Sequence, residues 1–154
     1  MPAWLALAWL YQQSAWLLLS ALLPVWGADI GAYFAGKTFG RVKLAPAVSP
    51  GKTWEGVIGG MAAVVLLLLV LHFAVGVPLA GYLPLYVAVG AVSVVGDLTV
   101  SMFKRHSGVK DSGTLFPGHG GILDRADGIM AAAPLFTLGY LWLRNTLPLP
   151  WMVN

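Results

Sequence analysis

Long apolar blocks alternate with short charged segments along this chain. Residues 3–26 carry no charged side chain, and further apolar blocks cover about 57–77, 82–103 and 128–147. Roughly 20 consecutive apolar residues are needed for a helix to cross the hydrocarbon core of a bilayer. The pattern therefore predicts an all-α integral membrane protein with about four transmembrane helices, forming a single membrane-embedded domain over 1–154.

The composition supports a membrane protein and excludes several other classes. The chain is 58% hydrophobic and 10% charged, whereas a soluble domain carries roughly 25% charged residues. It contains no cysteine, so disulfides, thiol nucleophiles and thiolate metal sites are excluded. The net charge is +3, but the basic residues alternate with acids and glycines instead of forming an exposed run, so no nucleic-acid partner is expected.

The basic residues predict how the spans are oriented. The segments 29–55 and 104–127 contain four Lys or Arg residues each, whereas the turn 78–81 contains none and Arg144 is the only other basic residue. Loops rich in Lys and Arg remain on the cytoplasmic side. We therefore expect a multi-pass protein of the cell inner membrane, with two long cytoplasmic loops and both termini outside.

Asp97 lies inside the third apolar block, seven residues before Lys104. A carboxylate in a span is costly unless it is paired, hydrated or bound to a cation. One interpretation is an interfacial ion pair with Lys104 or Arg105. The other, which we favour, is a metal or proton ligand that faces a wet cavity.

The segment "DRADG" opens the fourth apolar block with Asp124, Arg125 and Asp127. The two aspartates are three residues apart, so they share one face of a helix, and they also complement the helix dipole there. Capping explains one of them. Asp97 and Asp124 lie at the same ends of successive spans, and two hard oxygen ligands suit Mg²⁺, which binds one or two carboxylates together with substrate phosphates.

The segment "FPGHGG" is a candidate phosphate cradle. Glycines allow the backbone to approach a ligand closely, and successive N–H groups in such a turn form an anion-binding concavity. His119 either donates to a phosphate oxygen or fixes the turn. The candidate residues here are the three glycines and their basic neighbours, namely Gly118, Gly120, Gly121, Lys110 and Arg125.

The segment "SPGKTWEG" contains a Gly-Lys-Thr triplet but is not a P-loop, because Pro46 occupies the position where a Walker motif requires glycine. The segment instead predicts a helix entry with Ser49 as N-cap and Pro50 at the first helical position. Lys52 would then meet an anionic substrate at a helix N-terminus. Asp29, which closes the first apolar block, either caps it or adds to the acidic cluster.

Residues 101–128 resemble the signature of the CDP-diacylglycerol synthase, or phosphatidate cytidylyltransferase, family. The upstream stretch 27–56 resembles a second recurring stretch of that family. Because the first pattern is long and its spacing is kept throughout, the resemblance is specific. The signature positions that match are Ser101, Lys104, Arg105, Lys110, Asp111, Gly113, Pro117, His119, Gly120, Gly121, Asp124, Arg125 and Asp127.

The resemblance implies Mg²⁺-dependent transfer of CMP from CTP to phosphatidate, which gives CDP-diacylglycerol and pyrophosphate. Asp97 and Asp124 would be the metal ligands, with a second cation left open. The basic residues would hold phosphates, and the family implies a homodimer in the lipid bilayer. The chain is shorter than the family's usual members, so we expect it to represent their C-terminal, catalytic portion.

Three other functions are compatible with the residues alone. A cytidylyltransferase could act on another lipid phosphate, such as an ether lipid. A membrane cation carrier would use Asp97 and Asp127 as ion ligands, although it has no use for a basic Gly-His-Gly turn and holds its site nearer the bilayer midplane. An inactive fragment is the third alternative.

Overall fold

Five helices and a short β-hairpin make up the described part of the chain. In this computed structural model the backbone is described over residues 2–106 and 123–146, and the side chains over 3–106 and 128–145. The helices are α1 (Pro2–Gln13), α2 (Ala15–Phe39), α3 (Trp54–Val75), α4 (Leu79–His106) and α5 (Leu123–Thr146), and the strands are β1 (Lys43–Ala45) and β2 (Ser49–Thr53). The prediction of an all-α membrane protein is confirmed, with the hairpin as a small addition.

The predicted first span, 3–26, is wrong as a continuous helix. Ser14 interrupts it with an extended backbone (φ −169°, ψ 139°), and its Oγ accepts a hydrogen bond from the Trp16 amide at 3.2 Å. Serine caps helices well because its side chain satisfies an amide that the first turn leaves unpaired. Gln12, Gln13 and Ser14 are polar but uncharged, so a block defined by its lack of charge did not reveal the break.

Three helices among the described residues are long and apolar enough to cross a membrane, namely α2, α3 and α4. Large apolar side chains on α3 point away from the bundle, including Ile58, Leu66, Val70 and Phe73, all of which are more than half exposed. A lipid-facing surface explains this exposure. The count of four spans stays a prediction.

Helices α2 and α3 are antiparallel and touch backbone to backbone. A β-carbon built at Gly31 would lie 2.5 Å from Ala63 Cβ and 2.8 Å from the carbonyl oxygen of Gly59. One built at Gly60 would lie 2.7 Å from the carbonyl oxygen of Ala28. Small residues at a helix interface permit this close approach in membranes, so these glycines serve helix packing.

Helices α4 and α5 form a second antiparallel pair, which closes over an aromatic core. Tyr82, Tyr86 and Phe136 are fully buried, and the rings of Tyr86 and Phe136 meet edge to face with centroids 6.3 Å apart. The chain reaches α4 from α3 through Gly76, whose left-handed backbone (φ +75°) ends α3. This connection lies at the opposite end of the bundle from the hairpin.

The predicted loop 29–55 is divided between α2, which continues to Phe39, and the hairpin. Its strands are antiparallel, and the amide of Val48 donates to the carbonyl of Ala45 at 3.1 Å. Pro46 follows Ala45, and proline is favoured at that position of a turn because its φ is already fixed. The hairpin thus brings a polar segment back across one end of the bundle.

The predicted N-cap at Ser49 is wrong, and so is the placing of Pro50 in the first turn of α3. Both residues lie in β2, where Ser49 pairs with Ala45, and α3 begins only at Trp54. Thr53 is the N-cap, and its Oγ1 accepts a hydrogen bond from the Gly56 amide at 3.1 Å. Pairing with β1 keeps residues 49–53 extended and delays the helix.

Candidate active site

Lys52 and Asp97 form an ion pair between β2 and α4. The side chain of Lys52 is 26% exposed and that of Asp97 is 37% exposed, so both groups remain within reach of solvent. Asp97 is therefore neither an unpaired buried acid nor a partner of Arg105 in this structure. The pair provides the opposite charge that a carboxylate in an apolar helix requires.

Asp29 joins this pair from a third element. It interacts electrostatically with both Asp97 and Lys52, although it lies ten residues before the end of α2 and does not open a loop as predicted. Asp29 on α2 is therefore near enough to the Lys52–Asp97 pair to interact with both charges through space. Sequence analysis named all three residues but placed Asp29 in the wrong kind of structure.

Two further contacts hold the hairpin at this end of the bundle. Arg105 Nε donates to the carbonyl of Val48 at 3.4 Å, which links the last turn of α4 to the tip of the hairpin. Both carboxylate oxygens of Glu55 accept from the amide of Val42 at 3.2 Å. Glu55 lies in the stretch 27–56 that resembles the family, but it was not predicted as a site residue. Its place in the first turn of α3, two residues after the N-cap Thr53, is the sequence feature that could have identified it.

The register of α4 against α5 places the N-terminal turn of α5 at the level of Asp97. A β-carbon built at Gly128 would lie 3.4 Å from Ser93 Cβ, and one at Gly139 would contact the Leu85 side chain. Asp97 is one turn beyond Ser93, and residue 124 is one turn before Gly128. Because the helices are antiparallel, moving from Ser93 to residue 97 and from Gly128 to residue 124 leads toward the same end of the bundle. The backbones at 97 and 124 therefore lie at the same level along the helix axes.

The other predicted site residues divide into two groups. Ser101, Lys104 and Arg105 lie in the last turns of α4, and Ser101 is partly buried. Asp124, Arg125 and Asp127 lie in the first turns of α5, but their side chains are outside the described residues. The remaining calls fall on residues that the structure does not describe, namely Lys110, Asp111, Gly118, His119, Gly120 and Gly121.

The described carboxylates fit a divalent cation in chemistry but do not complete a site for one. Asp29 and Asp97 supply hard oxygen ligands of the kind that Mg²⁺ prefers. The side chains over 3–106 and 128–145 contain no group of three acidic or histidine residues that could hold a metal ion.

An apolar groove runs along α4 over the turns before and after Asp97. Its volume is about 380 Å³, and Gly96, the neighbour of Asp97, is part of its wall. Thr99 also borders the groove, but its hydroxyl donates to the carbonyl of Val95 at 2.8 Å, so it adds little polarity. The wall is formed mainly by Val92, Val95, Gly96, Thr99, Phe103 and Met130.

The fold and the site define a helical membrane protein that gathers acidic and basic side chains at one end of its bundle, next to a lipid-accessible groove. A model of the cytidylyltransferase family matches residues 3–143. The chain belongs to this family, and the resemblance seen in its sequence is confirmed.

Several curated relatives agree with this assignment. The phosphatidate cytidylyltransferase of Haemophilus influenzae is 54% identical over 133 residues, which are 82% of this chain and 46% of the relative. That of Pseudomonas aeruginosa is 51% identical over 160 residues, covering 92% of this chain and 54% of the relative. That of Staphylococcus haemolyticus is 46% identical, covering 79% and 47%. The chain spans about half the length of these relatives.

Proposed function

We propose that this protein carries the catalytic end of a phosphatidate cytidylyltransferase, which transfers CMP from CTP to phosphatidate. The observation that carries the proposal is the ion pair of Lys52 and Asp97 at the end of an apolar bundle, with Asp29 near enough to interact with both. Family membership and the names of the relatives support the same reaction. The products are CDP-diacylglycerol and pyrophosphate.

Asp97 and Asp124 would hold the Mg²⁺, and Asp29 would add negative charge beside them. When bound, the cation neutralises and orients the triphosphate of CTP. The equal height of residues 97 and 124 on the paired helices supports this assignment. A second cation near Asp29 is compatible with the charge gathered there.

The basic residues would hold phosphate groups on both substrates. Lys52 approaches from the hairpin, and Lys104 and Arg105 approach from the last turn of α4. Lys110 and Arg125 would add to them, together with the Gly118–Gly121 turn and its His119. Fixed positive groups stabilise charge that develops on transferring phosphoryl groups without needing to reorganise.

The chemical step needs no covalent intermediate on the protein. A phosphate oxygen of phosphatidate attacks the α-phosphorus of CTP and forms a new P–O bond. The bond from the α-phosphorus to the oxygen that bridges to the β-phosphate breaks, and pyrophosphate leaves with its electron pair. Because the nucleophile is already an anion, the chain's residues bind and orient it instead of removing a proton.

The groove on α4 would hold an acyl chain of phosphatidate. It runs along a helix that is long and apolar enough to cross a membrane, and it extends over the turns before and after Asp97. A lipid whose tail lies in this groove would carry its phosphate toward the ion pair. This arrangement explains how one site accepts a nucleotide from water and a lipid from the bilayer.

We also propose the inner membrane as the location, with the hairpin and the last turn of α4 facing the cytoplasm. These two segments lie at the same end of the bundle and carry Lys43, Lys52, Lys104 and Arg105. The positive-inside rule assigns such an end to the cytoplasm. A homodimer is proposed from the family alone.

Pyrophosphate release tests the function directly. The full chain in detergent, supplied with Mg²⁺, CTP and phosphatidate, is expected to release pyrophosphate, and Asp97→Asn is expected to lower the rate by about 100-fold or more. Arg144→Gln, at the opposite end of the bundle, is the matched control and should retain the rate. Cation flux into liposomes without CTP turnover would instead favour a carrier, and preference for an ether-linked phosphatidate would identify the other lipid substrate.

A further inference from the structure

Lys52 occupies the position on Asp97 that a metal ion would take. Its ammonium group is a compact point charge on a flexible stem, and it is paired with Asp97 Oδ2. A divalent cation that binds this carboxylate would meet the ammonium at close range. Both positive groups therefore compete for one carboxylate.

The ion pair is one of the described polar contacts between α4 and the hairpin that carries Lys52. A two-stranded hairpin alone is marginally stable, and β1 and β2 are only three and five residues long. Another polar contact between the hairpin and α4 is the exposed hydrogen bond from Arg105 Nε to the Val48 carbonyl, at 3.4 Å. If the ion pair is lost, this longer hydrogen bond still connects the hairpin to α4.

We infer that Lys52 is an internal counter-ion, which a divalent cation displaces from Asp97, and that the displacement frees the hairpin and delivers the ammonium group to an anionic substrate. The identification of the cation as Mg²⁺ and of the anion as a nucleotide triphosphate rests on the proposed function. The displacement itself rests on the ion pair. By linkage, any change that removes Lys52 from Asp97 must strengthen cation binding there.

Binding of Mg²⁺ alone tests the competition. Calorimetric titration of the full chain in detergent, without CTP or lipid, is expected to show affinity about two- to fivefold higher in Lys52→Gln, because partly exposed ion pairs contribute about 0.2–1 kcal/mol. Lys43→Gln is the matched control, since it removes the same charge from the same hairpin and Lys43 has no ion pair with the described acids. General damage to the site would weaken binding, not strengthen it. Unchanged or weaker binding in Lys52→Gln, or no Mg²⁺ binding in either protein, overturns the inference.

Movement of the hairpin can be measured with spin labels, because the chain has no native cysteine. Gly51→Cys places a label where an added β-carbon has nothing within 4 Å, and Met102→Cys places one on an exposed position of α4. Mg²⁺ is expected to lengthen and broaden the distances between the labels. Adding Lys52→Gln should produce the broad distribution without Mg²⁺ and remove the response to it.

An unchanged distribution at saturating Mg²⁺ in the doubly labelled protein would overturn the release of the hairpin. Neither measurement requires turnover, so a protein that binds Mg²⁺ as described but releases no pyrophosphate would retain this inference and lose the proposed function.

Discussion

Gly128 on α5 packs directly against Ser93 on α4, one helical turn from Asp97 and from residue 124. An added β-carbon at Gly128 would lie 3.4 Å from both the Cβ and the carbonyl oxygen of Ser93, and 3.5 Å from Val25. Ser93 is itself buried, and its Oγ donates to the carbonyl of Gly90 at 2.8 Å. The spacing of the two predicted metal ligands therefore depends on a contact with little spare room.

Gly128→Leu is expected to push α5 away from α4 at the level of the site. Overpacking of this kind typically costs about 1–3 kcal/mol, and the separation should also lower pyrophosphate release. Thermal unfolding in detergent and the release assay measure the two effects. Gly128→Ala is the control, because 3.4 Å is an ordinary contact distance for one methyl group, and a loss in alanine as large as in leucine would contradict the proposed cause.

Gly31→Ala is expected to destabilise the protein by about 1–3 kcal/mol. Its β-carbon would lie 2.5 Å from Ala63 Cβ and 2.8 Å from the Gly59 carbonyl oxygen, so α2 and α3 must move apart. The effect is measured as a fall in the midpoint of thermal unfolding relative to the unaltered protein. Gly51→Ala provides the control, since its β-carbon meets nothing within 4 Å. Equal midpoints for the two variants would show that α2 and α3 do not touch as described.

Val95→Trp is expected to fill the groove on α4 and to raise the KM for long-chain phosphatidate by about tenfold, as loss of apolar substrate contacts typically does. The KM for a short-chain, water-soluble phosphatidate should change little. Val70→Trp is a matched control, because Val70 on α3 is 61% exposed and Val95 is 60% exposed. If Val95→Trp raises the KM equally for the long-chain and the short-chain phosphatidate, the groove does not hold the acyl chain.

Asp29→Asn is expected to weaken Mg²⁺ binding by about tenfold, the lower end of the loss typical for residues that support a metal ligand. The physical reason is the removal of one negative charge that interacts with Asp97 and Lys52. Titration with Mg²⁺ alone provides the measurement. Glu55→Gln is the control, since Glu55 accepts from the Val42 amide and is an acid outside the cluster. Unaltered Mg²⁺ affinity in Asp29→Asn would exclude Asp29 from the cation site.

The apolar blocks predicted α3 and α4 well, since 57–77 and 82–103 fall largely inside Trp54–Val75 and Leu79–His106. They failed at Ser14 because the block was defined by its lack of charge, and Gln12, Gln13 and Ser14 are polar without being charged. They also failed at Asp29, where charged residues suggested the start of a loop and α2 instead continues to Phe39. A charged residue alone does not mark the end of a helix.

The candidate site was predictable as a set of residues but not as a set of partners. Asp97 was expected to pair within its own helix or to bind a cation, and it pairs with Lys52. That contact depends on a hairpin whose register is irregular between Lys43 and Ala45. Local sequence signals assigned Ser49 and Pro50 to a helix entry, whereas pairing between the strands decided their conformation.

The glycine contact between α2 and α3 also determines which parts of the bundle can rearrange during a reaction cycle. Because the backbones of α2 and α3 are in contact, sliding one helix along the other would bring them into collision. We therefore expect these two helices to move as one rigid unit. Adjustments that open or close the charged end must then come from the hairpin or from the α4–α5 pair. A crosslink between α4 and the α2–α3 pair is expected to restrict such an adjustment while leaving the contact between α2 and α3 intact.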